Sequence, residues 1–290
     1  MSNPAFRLTH FSSQSIRRVG KLRHRFFLSL ARQVDIRMVR NEFQHPIRIL
    51  SHQRVAILTG AGISAESGIR TFRDAGGLWE SHRIEEVASP EGWASDAELV
   101  WRFYSARRAQ ARQCLPNEAH RALAKLELQL DERLFLVTQN VDDLHERGGS
   151  RRVVHMHGEL SKSRCEDPNC QWPPFLDEGI YESKESFARC DCGAVVRPHI
   201  VWFGEKPFGM QSIQRAIQRC HWFVVIGTSG AVYPAAGLVH IMAHRREQGE
   251  NVRSVYVGPE APLNASQFEE IRLGTACEVV PSLFDVVAGD

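Results

Sequence analysis

The stretch VAILTGAGISAESG, residues 55–68, decides how the rest of the chain is interpreted. Its first five residues form a mostly apolar, β-branched run that is typical of a buried strand. The G-x-G-x-x-A pattern that follows, from Gly60 to Ala65, favours a tight turn into a helix and a close approach of the backbone to a phosphate group. Alone the pattern is a weak signal, because an ordinary strand-to-helix turn can share it.

Outward from this stretch, short β-branched runs alternate with segments that carry apolar residues at helical spacing. The runs are 134–138, 153–155, 223–227, 254–257 and 278–280, and the two clearest helical segments are 96–114 and 117–130. This alternation predicts an α/β fold, a Rossmann-like doubly wound parallel sheet. Ligands of such sheets bind at the carboxyl ends of the strands, so the polar clusters after each run become the candidate site.

Composition excludes several classes of protein. The 290 residues include 36 basic and 34 acidic side chains, a balance that gives no sign of a polyanionic partner. Seven cysteines are too few for a disulfide scaffold. No window approaches the roughly 18 consecutive apolar residues of a membrane span. We therefore expect a globular intracellular protein that needs neither nucleic acid nor a membrane.

The first 41 residues differ from the rest, with nine Lys or Arg and one acid, Asp35. Apolar residues recur there at helical spacing with basic residues opposite them. One interpretation is a basic extension, residues 1–50, on a bacterial cytoplasmic protein. The other is a transit peptide that directs the protein to the mitochondrial matrix.

Residues 160–205 interrupt the alternation and carry two cysteine pairs, Cys165-x₄-Cys170 and Cys190-x-Cys192. This range predicts a small inserted module that is too poor in apolar residues to fold without a cross-link. The two pairs favour one tetrahedral thiolate Zn²⁺ site with a structural role, although the spacing within each pair is unusual. Cys170 and Cys192 could be replaced by other donors, and free thiols in a loop remain an alternative.

The segment after the glycine turn argues against a dehydrogenase. That fold requires a second apolar strand ending in an acid about 20 residues further on. Residues 68–79 are instead polar and glycine-rich, which suits a mobile loop over a ligand.

Five ordered blocks resemble the sirtuins, the NAD-dependent protein lysine deacylases, and in particular their bacterial and class III members. The resemblance covers residues 53–287 and implies a catalytic domain over 51–290. The blocks are Gly60-Ala-Gly-Ile-Ser64 with Gly68-Ile-Arg-Thr-Phe-Arg73 and Gly77-Leu-Trp79, Thr138-Gln-Asn-Val-Asp142, His157-Gly-Glu-Leu160, Arg197-Pro-His-Ile-Val-Trp-Phe-Gly-Glu205 and Gly227-Thr-Ser229.

The resemblance implies that NAD is consumed as a co-substrate. The acyl oxygen of an acylated lysine attacks the nicotinamide ribose and expels nicotinamide, and the products are free lysine and O-acyl-ADP-ribose. His157 is implied as the general base, a role that suits a group titrating near neutral pH. Phe72 is implied to shield the reactive ribose from water.

The implied cofactor contacts lie in the matching blocks and two later segments. They are Gly60, Ala61, Gly62, Ile63, Ser64, Glu66, Phe72, Arg73, Trp79, Gln139, Asn140, Val141, Asp142, Gly227, Thr228, Ser229, Gly258, Pro259, Glu260 and Ala276. Gly258-Pro259-Glu260 departs from the family, in which an Asn often contacts the adenosine ribose at this point.

The resemblance also implies the acyl and peptide contacts. Tyr104 and Arg107 share a helix face at i, i+3, and in class III members this pair binds the distal carboxylate of succinyl- or malonyl-lysine. The substrate backbone is expected to add as a strand between residues 201–205 and 229–233. The implied substrate contacts are Tyr104, Arg107, Val201, Phe203, Gly204, Glu205 and Val232.

Two other functions stay open at this point. A sirtuin-fold mono-ADP-ribosyltransferase would share the cofactor blocks and His157. A zinc-ribbon nucleic-acid binder would explain the cysteines and the basic arm but not the cofactor blocks. We expect an enzyme that acts as a monomer on acylated lysines, both acetylated and acidic.

Overall fold

A computed structural model describes residues 45–69 and 82–288 with their side chains, and 37–40 and 78–79 by their backbone. All of these residues belong to one compact unit, Ile36–Asp290. The strands in this part of the chain are β1 (Arg37–Arg40), β2 (Ile47–Leu50), β3 (Val55–Thr59), β4 (Leu78–Trp79), β5 (His82–Arg83), β6 (Leu134–Thr138), β7 (Val153–His155), β8 (Gly158–Cys165), β9 (Phe175–Leu176), β10 (Val196–Ile200), β11 (Trp222–Ile226), β12 (Arg253–Gly258), β13 (Glu270–Leu273) and β14 (Phe284–Val287).

The α-helices of the same residues range from one turn to 17 residues. They are α1 (Ile84–Val87), α2 (Pro90–Ser95), α3 (Ala97–Gln113), α4 (Glu118–Leu130), α5 (Leu144–Arg147), α6 (Met210–Arg219), α7 (Val239–Glu247) and α8 (Ala276–Val279). Helices α3 and α4 match the two segments predicted from apolar spacing. Each begins at a side-chain cap, because Asp96 accepts a hydrogen bond from Leu99 N and Asn117 accepts one from Ala119 N.

The main sheet has seven strands in the order β1-β13-β12-β11-β3-β6-β7, and every pairing in it is parallel. The chain runs from β3 outward to β6 and β7, then returns to β11 on the other side of β3. The predicted doubly wound parallel sheet is therefore confirmed. The reversal between β3 and β11 creates a crevice at their carboxyl ends, where such folds bind ligands.

Two hydrophobic cores cover the two faces of this sheet. Alternate residues of a strand point to opposite faces, and β3 shows this directly. Val55 and Ile57 pack with α4, whereas Ala56 and Leu58 pack with α6 and α7. Because β3 is buried along its whole length, it fixes the position at which the glycine turn begins.

Outside the main sheet, β8 pairs antiparallel with β10 and β9. Apart from Gly158 and Glu159 at the start of β8, this three-stranded sheet lies in the range 160–205 that was predicted as an inserted module. A further two-stranded sheet pairs β2 with β14, while β1 pairs with β13 at the edge of the main sheet. The two N-terminal strands β1 and β2, within the range predicted as an extension, therefore pair with strands near the C-terminal end.

The strand predicted at 278–280 is wrong, because these residues lie in α8 and the 3-10 turn Val280–Ser282 that follows it. Thr275 and Glu278 form a reciprocal capping box, with Thr275 N donating to the Glu278 carboxylate at 2.8 Å. The T-x-x-E spacing is a helix-start signal that outweighs two adjacent valines. The prediction also omitted β13 and β14.

Candidate active site

The glycine turn and the loop after β11 meet at the crevice between β3 and β11. Gly60 N donates to Ile226 O and Gly62 N donates to Gly227 O, both at 2.9 Å. A Cβ on Gly62 would lie 2.6 Å from Gly227 Cα, and Gly227 itself has a φ of +66°. Both positions therefore require glycine because two backbone segments touch there.

The element after Gly60 is not the predicted helix. Two single 3-10 turns, Ala61–Ile63 and Ala65–Ser67, end at Gly68, whose φ of 93° is left-handed. The turns keep Ile63 and Ser64 buried. Apolar spacing could not distinguish two 3-10 turns from the start of an α-helix over so few residues.

Ser64 is the centre of a buried polar cluster formed with two predicted cofactor contacts. Its hydroxyl donates to the Asp142 carboxylate at 3.2 Å and accepts from Asn140 Nδ2 at 3.0 Å. Burial raises the pKa of Asp142, while hydrogen bonds from Leu144 N and Ser64 oppose that rise. The structure thus brings together three side chains from two separate blocks of the sequence.

His120 is a member of this cluster that the sequence prediction missed. Its Nε2 lies 3.4 Å from Ser64 Oγ, and its Nδ1 lies 2.9 Å from the Asn117 side-chain oxygen. Burial lowers the pKa of His120 to about 4, so the ring is neutral. No local signal marked this histidine, because it occupies an ordinary position in the first turn of α4.

A second buried histidine lies under the carboxyl ends of the strands. His145 Nε2 lies 2.9 Å from Thr59 Oγ1, and the Thr59 hydroxyl donates to Thr138 Oγ1 at 2.8 Å. Burial lowers the pKa of His145 well below its usual value. The His120 and His145 rings contact each other edge to face, with centroids 5.0 Å apart. These neutral rings join α4, α5 and the strand ends beneath the crevice.

His157 lies in the two-residue turn, Met156 and His157, that joins β7 to β8. Its Nδ1 is 3.1 Å from the main-chain oxygen of Gln139, which follows β6. A carbonyl oxygen only accepts hydrogen bonds, so the neutral ring carries its hydrogen on Nδ1 and a lone pair on Nε2. Burial lowers the pKa of His157, and the Gln139 contact partly offsets this. The neutral ring can therefore accept a proton at Nε2.

Tyr104 and Arg107 are both buried on α3, with 0% and 6% of their surfaces exposed. The phenol oxygen of Tyr104 accepts a hydrogen bond from Trp202 Nε1 at 3.2 Å. Burial raises the pKa of Tyr104, so the phenol is neutral. Both side chains of the pair therefore lie in the interior of the protein.

Glu205 is held by two arginines and the backbone. Its carboxylate accepts from Arg197 at 2.7 Å, from Arg164 at 3.2 Å and from Trp202 N at 2.8 Å. Although burial raises the pKa of Glu205, these contacts leave it below its ordinary value. The side chain is occupied within the protein, so a substrate contact at this position falls to the main chain.

Next to this carboxylate, the segments predicted to flank a peptide carry exposed apolar side chains. Phe203 is 52% exposed, Val232 is 38% exposed and Tyr233 is 68% exposed. Val201 N donates to His157 O at 2.9 Å, which ties the first segment to the catalytic candidate. Gly204 has a φ of 89°, and a Cβ added there would meet no atom within 4 Å, so its conformation alone favours glycine.

The remaining predicted cofactor contacts lie around the same edge of the sheet. Thr228 is buried and Ser229 is only partly exposed after β11, while Gly258 ends β12 and Glu260 is exposed beyond it. Ala276 is buried at the start of α8. Glu66 is bound to that helix, because its carboxylate accepts from Cys277 N at 2.9 Å and from Thr275 Oγ1 at 3.0 Å. Phe72, Arg73 and the Trp79 side chain lie outside the described residues.

The four cysteines of the inserted range come together in space. The Sγ atoms of Cys165, Cys170, Cys190 and Cys192 all lie within 4.8 Å of one another. Cys165 and Cys192 are 3.5 Å apart, as are Cys170 and Cys190. Tetrahedral Zn–S bonds of roughly 2.3 Å place sulfurs about 3.8 Å apart. The cluster therefore fits a structural zinc site with four thiolates.

Residues 60–234 match the Sir2 family. An NAD-dependent protein deacylase of Shewanella oneidensis is 51% identical over 238 residues, which cover 81% of this chain and 95% of that protein. One of Escherichia coli O6:H1 is 44% identical over 288 residues, 98% of this chain and 97% of that protein. The chain belongs to the Sir2 family.

Solved structures agree with this assignment. An NAD complex of a Sir2 homologue is similar with a TM-score of 0.70 and 36% identity, over 83% of this chain and 94% of that one. An ADP-ribose complex of a mutant Sir2 homologue has a TM-score of 0.71 and 38% identity, over 81% and 92% of the two chains. Among the residues that the structure describes, no helix has the length and hydropathy needed to cross a membrane.

Proposed function

We propose that this protein is an NAD-dependent protein lysine deacylase that removes acetyl and acidic acyl groups. The observation that carries the proposal is the contact between His157 Nδ1 and Gln139 O, which leaves a basic Nε2 at the carboxyl edge of the sheet. The names of the relatives support deacylation over mono-ADP-ribosyl transfer.

NAD is expected at the crevice between β3 and β11. The glycine turn, residues 139–142 and residues 227–229 surround it, and residues 258–260 with Ala276 lie along the same edge. Because Gly60 and Gly62 lack a Cβ, the turn packs closely against Gly227. This contact lies at the carboxyl ends of β3 and β11, where such folds bind the pyrophosphate of a dinucleotide. When bound, NAD supplies an electrophilic ribose carbon and accepts the acyl group.

The protein contributes proton transfer, orientation and exclusion of water. His157 Nε2 takes a proton from a substrate hydroxyl, and its Nδ1–H stays on Gln139 O to hold the ring in place. The same loops carry a preorganised polar cluster, in which the hydroxyl of Ser64 is hydrogen-bonded to Asn140 and Asp142. Such groups act without reorganising during the reaction.

The peptide around the acylated lysine is proposed to bind as a strand between residues 201–205 and 229–233. The exposed apolar side chains of Phe203 and Val232 then cover its two sides. Main-chain hydrogen bonds supply affinity that does not depend on sequence, as in other cases of strand addition. This mode suits an enzyme that acts on many acylated proteins.

The buried pair Tyr104 and Arg107 is proposed to recognise the distal carboxylate of succinyl- or malonyl-lysine. A guanidinium can bind a carboxylate through two hydrogen bonds, and a phenol adds a third. Burial of both side chains strengthens these contacts, because water competes less for them. Arg107 also offsets the cost of bringing a negative charge into the pocket.

The deciding experiment incubates the protein with NAD and matched acetyl-, succinyl- and malonyl-lysine peptides. We expect nicotinamide and the corresponding O-acyl-ADP-ribose from each peptide, detected by mass spectrometry. Labelled ADP-ribose attached to protein, with the acyl peptide unchanged, would instead establish ADP-ribosyl transfer.

The basic N-terminal segment is proposed to be a retained part of a bacterial cytoplasmic protein. The match to the Escherichia coli relative spans 288 residues and so includes most of this segment. A cleaved N-terminus in protein purified from its own cells would contradict retention.

We also expect the chain to act as a monomer. Light scattering coupled to gel filtration measures its mass in solution and so checks this expectation.

A further inference from the structure

Trp202 was not among the residues predicted to contact substrate, yet the structure fixes it firmly. Its side chain is only 2% exposed, and its backbone N donates to Glu205 at 2.8 Å. The Arg197 guanidinium lies over its ring, 3.2 Å from the centroid, and the same guanidinium binds Glu205. The ring is thus held in one plane by a cation–π contact and an ion pair.

The indole of Trp202 reaches back to α3. Its Nε1 donates to the phenol oxygen of Tyr104 at 3.2 Å. An indole N–H can only donate, so it occupies an acceptor position of the phenol oxygen. The single hydrogen of the phenol therefore points away from Trp202.

We propose that Trp202 is a positioning residue for acyl-group specificity, because its indole N–H holds the Tyr104 hydroxyl as a hydrogen-bond donor toward an acidic acyl group. This inference rests on the proposed function of Tyr104 and Arg107 and extends it. A carboxylate only accepts hydrogen bonds, so it needs the phenol hydrogen and is repelled by the phenol lone pairs. Donation from the indole also polarises the phenol and makes it a stronger donor.

The contribution of the Trp202 N–H to substrate binding depends on the acyl group. A succinyl or malonyl carboxylate gains from an oriented phenol, whereas an acetyl methyl group forms no hydrogen bond with it. Loss of the indole N–H should therefore change substrate preference and leave the proton transfer by His157 intact. A merely structural role for Trp202 would instead affect both substrates together.

The test is Trp202→Phe, which keeps an aromatic ring under Arg197 and removes the N–H. We expect KM for a succinyl-lysine peptide to rise about fivefold to tenfold, the size of one hydrogen bond to a charged pocket. Activity on the acetyl peptide should change less than about twofold. In a Tyr104→Phe background, Trp202→Phe should cause no further change in the succinyl-to-acetyl ratio, since the oriented hydroxyl is absent.

The matched control is Trp101→Phe, which removes a comparable buried N–H on α3 that donates to Val196 O at 3.2 Å. It should leave the succinyl-to-acetyl ratio unchanged. If Trp202→Phe unfolds the protein, replacement of Trp202 by 3-benzothienylalanine keeps the ring shape and removes only the N–H. An equal loss on both peptides, or a ratio change that persists without the Tyr104 hydroxyl, overturns the inference.

The same set of variants separates this inference from the proposed function. If Tyr104→Phe alone leaves the ratio unchanged, the acyl-pocket proposal fails. If Tyr104→Phe lowers the ratio and Trp202→Phe does not, only the role of Trp202 fails.

Discussion

The main-chain oxygen of Gln139 lies 3.1 Å from Nδ1 of His157. The two residues are 18 positions apart and follow neighbouring parallel strands, β6 and β7. The strand ends therefore fix which ring nitrogen carries the hydrogen. The same contact orients the ring of His157, the proposed general base, from the ends of these two strands.

A base must be deprotonated to act, which predicts how activity depends on pH. Burial lowers the pKa of His157 from its ordinary 6.5. As pH rises, kcat/KM should increase through that lowered pKa, so the acidic limb of the profile lies below pH 6.5. A pH profile with a succinyl-lysine peptide measures this, and His157→Ala should lower kcat by about 10² to 10⁴. An acidic limb above about pH 7, or a variant with near-normal kcat, contradicts the assignment.

Arg107 provides a selective test of acyl recognition. Arg107→Met keeps the unbranched apolar stem of the side chain and removes the guanidinium and its charge. We expect kcat/KM for succinyl-lysine to fall by at least about tenfold, because a charged hydrogen bond to the carboxylate is lost. Activity on acetyl-lysine should fall far less, and competition between the two peptides in one reaction measures the ratio directly. Equal losses on both peptides would remove Arg107 from the acyl pocket.

The sequence predicted the fold well where buried strands and capped helices are continuous. The apolar run of β3 and the spacing in α3 and α4 match the observed elements, because burial on both faces of a sheet leaves a direct pattern. Short elements were harder to predict from the sequence. The adjacent valines Val279, at the end of α8, and Val280, in the 3-10 turn after it, resembled a strand. Only the Thr275–Glu278 capping box marks the helix.

The site was predicted mainly from its resemblance to a known family. Four cysteines from two distant pairs do lie together, as the zinc prediction requires. Residues that support the site from behind, such as His120 and Trp202, carry no local signal, since their roles come from contacts 56 and 98 positions away in the chain. Such partners are visible only after folding.

The cysteine cluster predicts one zinc ion per chain with a structural role. Removal of the zinc ion with a strong chelator, or loss of one thiolate in Cys165→Ser, should lower the zinc content. The midpoint of thermal unfolding should fall with it, because metal binding and local folding are coupled. Elemental analysis and a thermal melt measure both quantities. Cys114→Ser is the matched control, since Cys114 lies outside the cluster. A zinc content well below one per chain in the unmodified protein would refute the site.

The last prediction concerns the residue next to Arg107. Arg108 is buried on α3, and its guanidinium donates to Leu160 O at 2.5 Å and to Lys162 O at 3.0 Å on β8. It also forms an ion pair with Asp177 at 3.4 Å, with side-chain exposures of 4% and 7%. Arg108 therefore joins α3, the helix of the proposed acyl pocket, to β8, the strand that ends at Cys165.

Arg108→Met should lower the free energy of unfolding by about 3–5 kcal/mol, because it removes the cationic partner of the buried Asp177 carboxylate and the donor to two main-chain carbonyl groups. Urea unfolding measures the loss. The control is Arg121→Met, whose exposed pair with Glu118 at 2.8 Å should contribute less than about 1 kcal/mol. Similar losses in the two variants would show that the buried ion pair does not hold the helix and the sheet together. A large loss confined to Arg108→Met supports that connection, since the two variants differ mainly in burial.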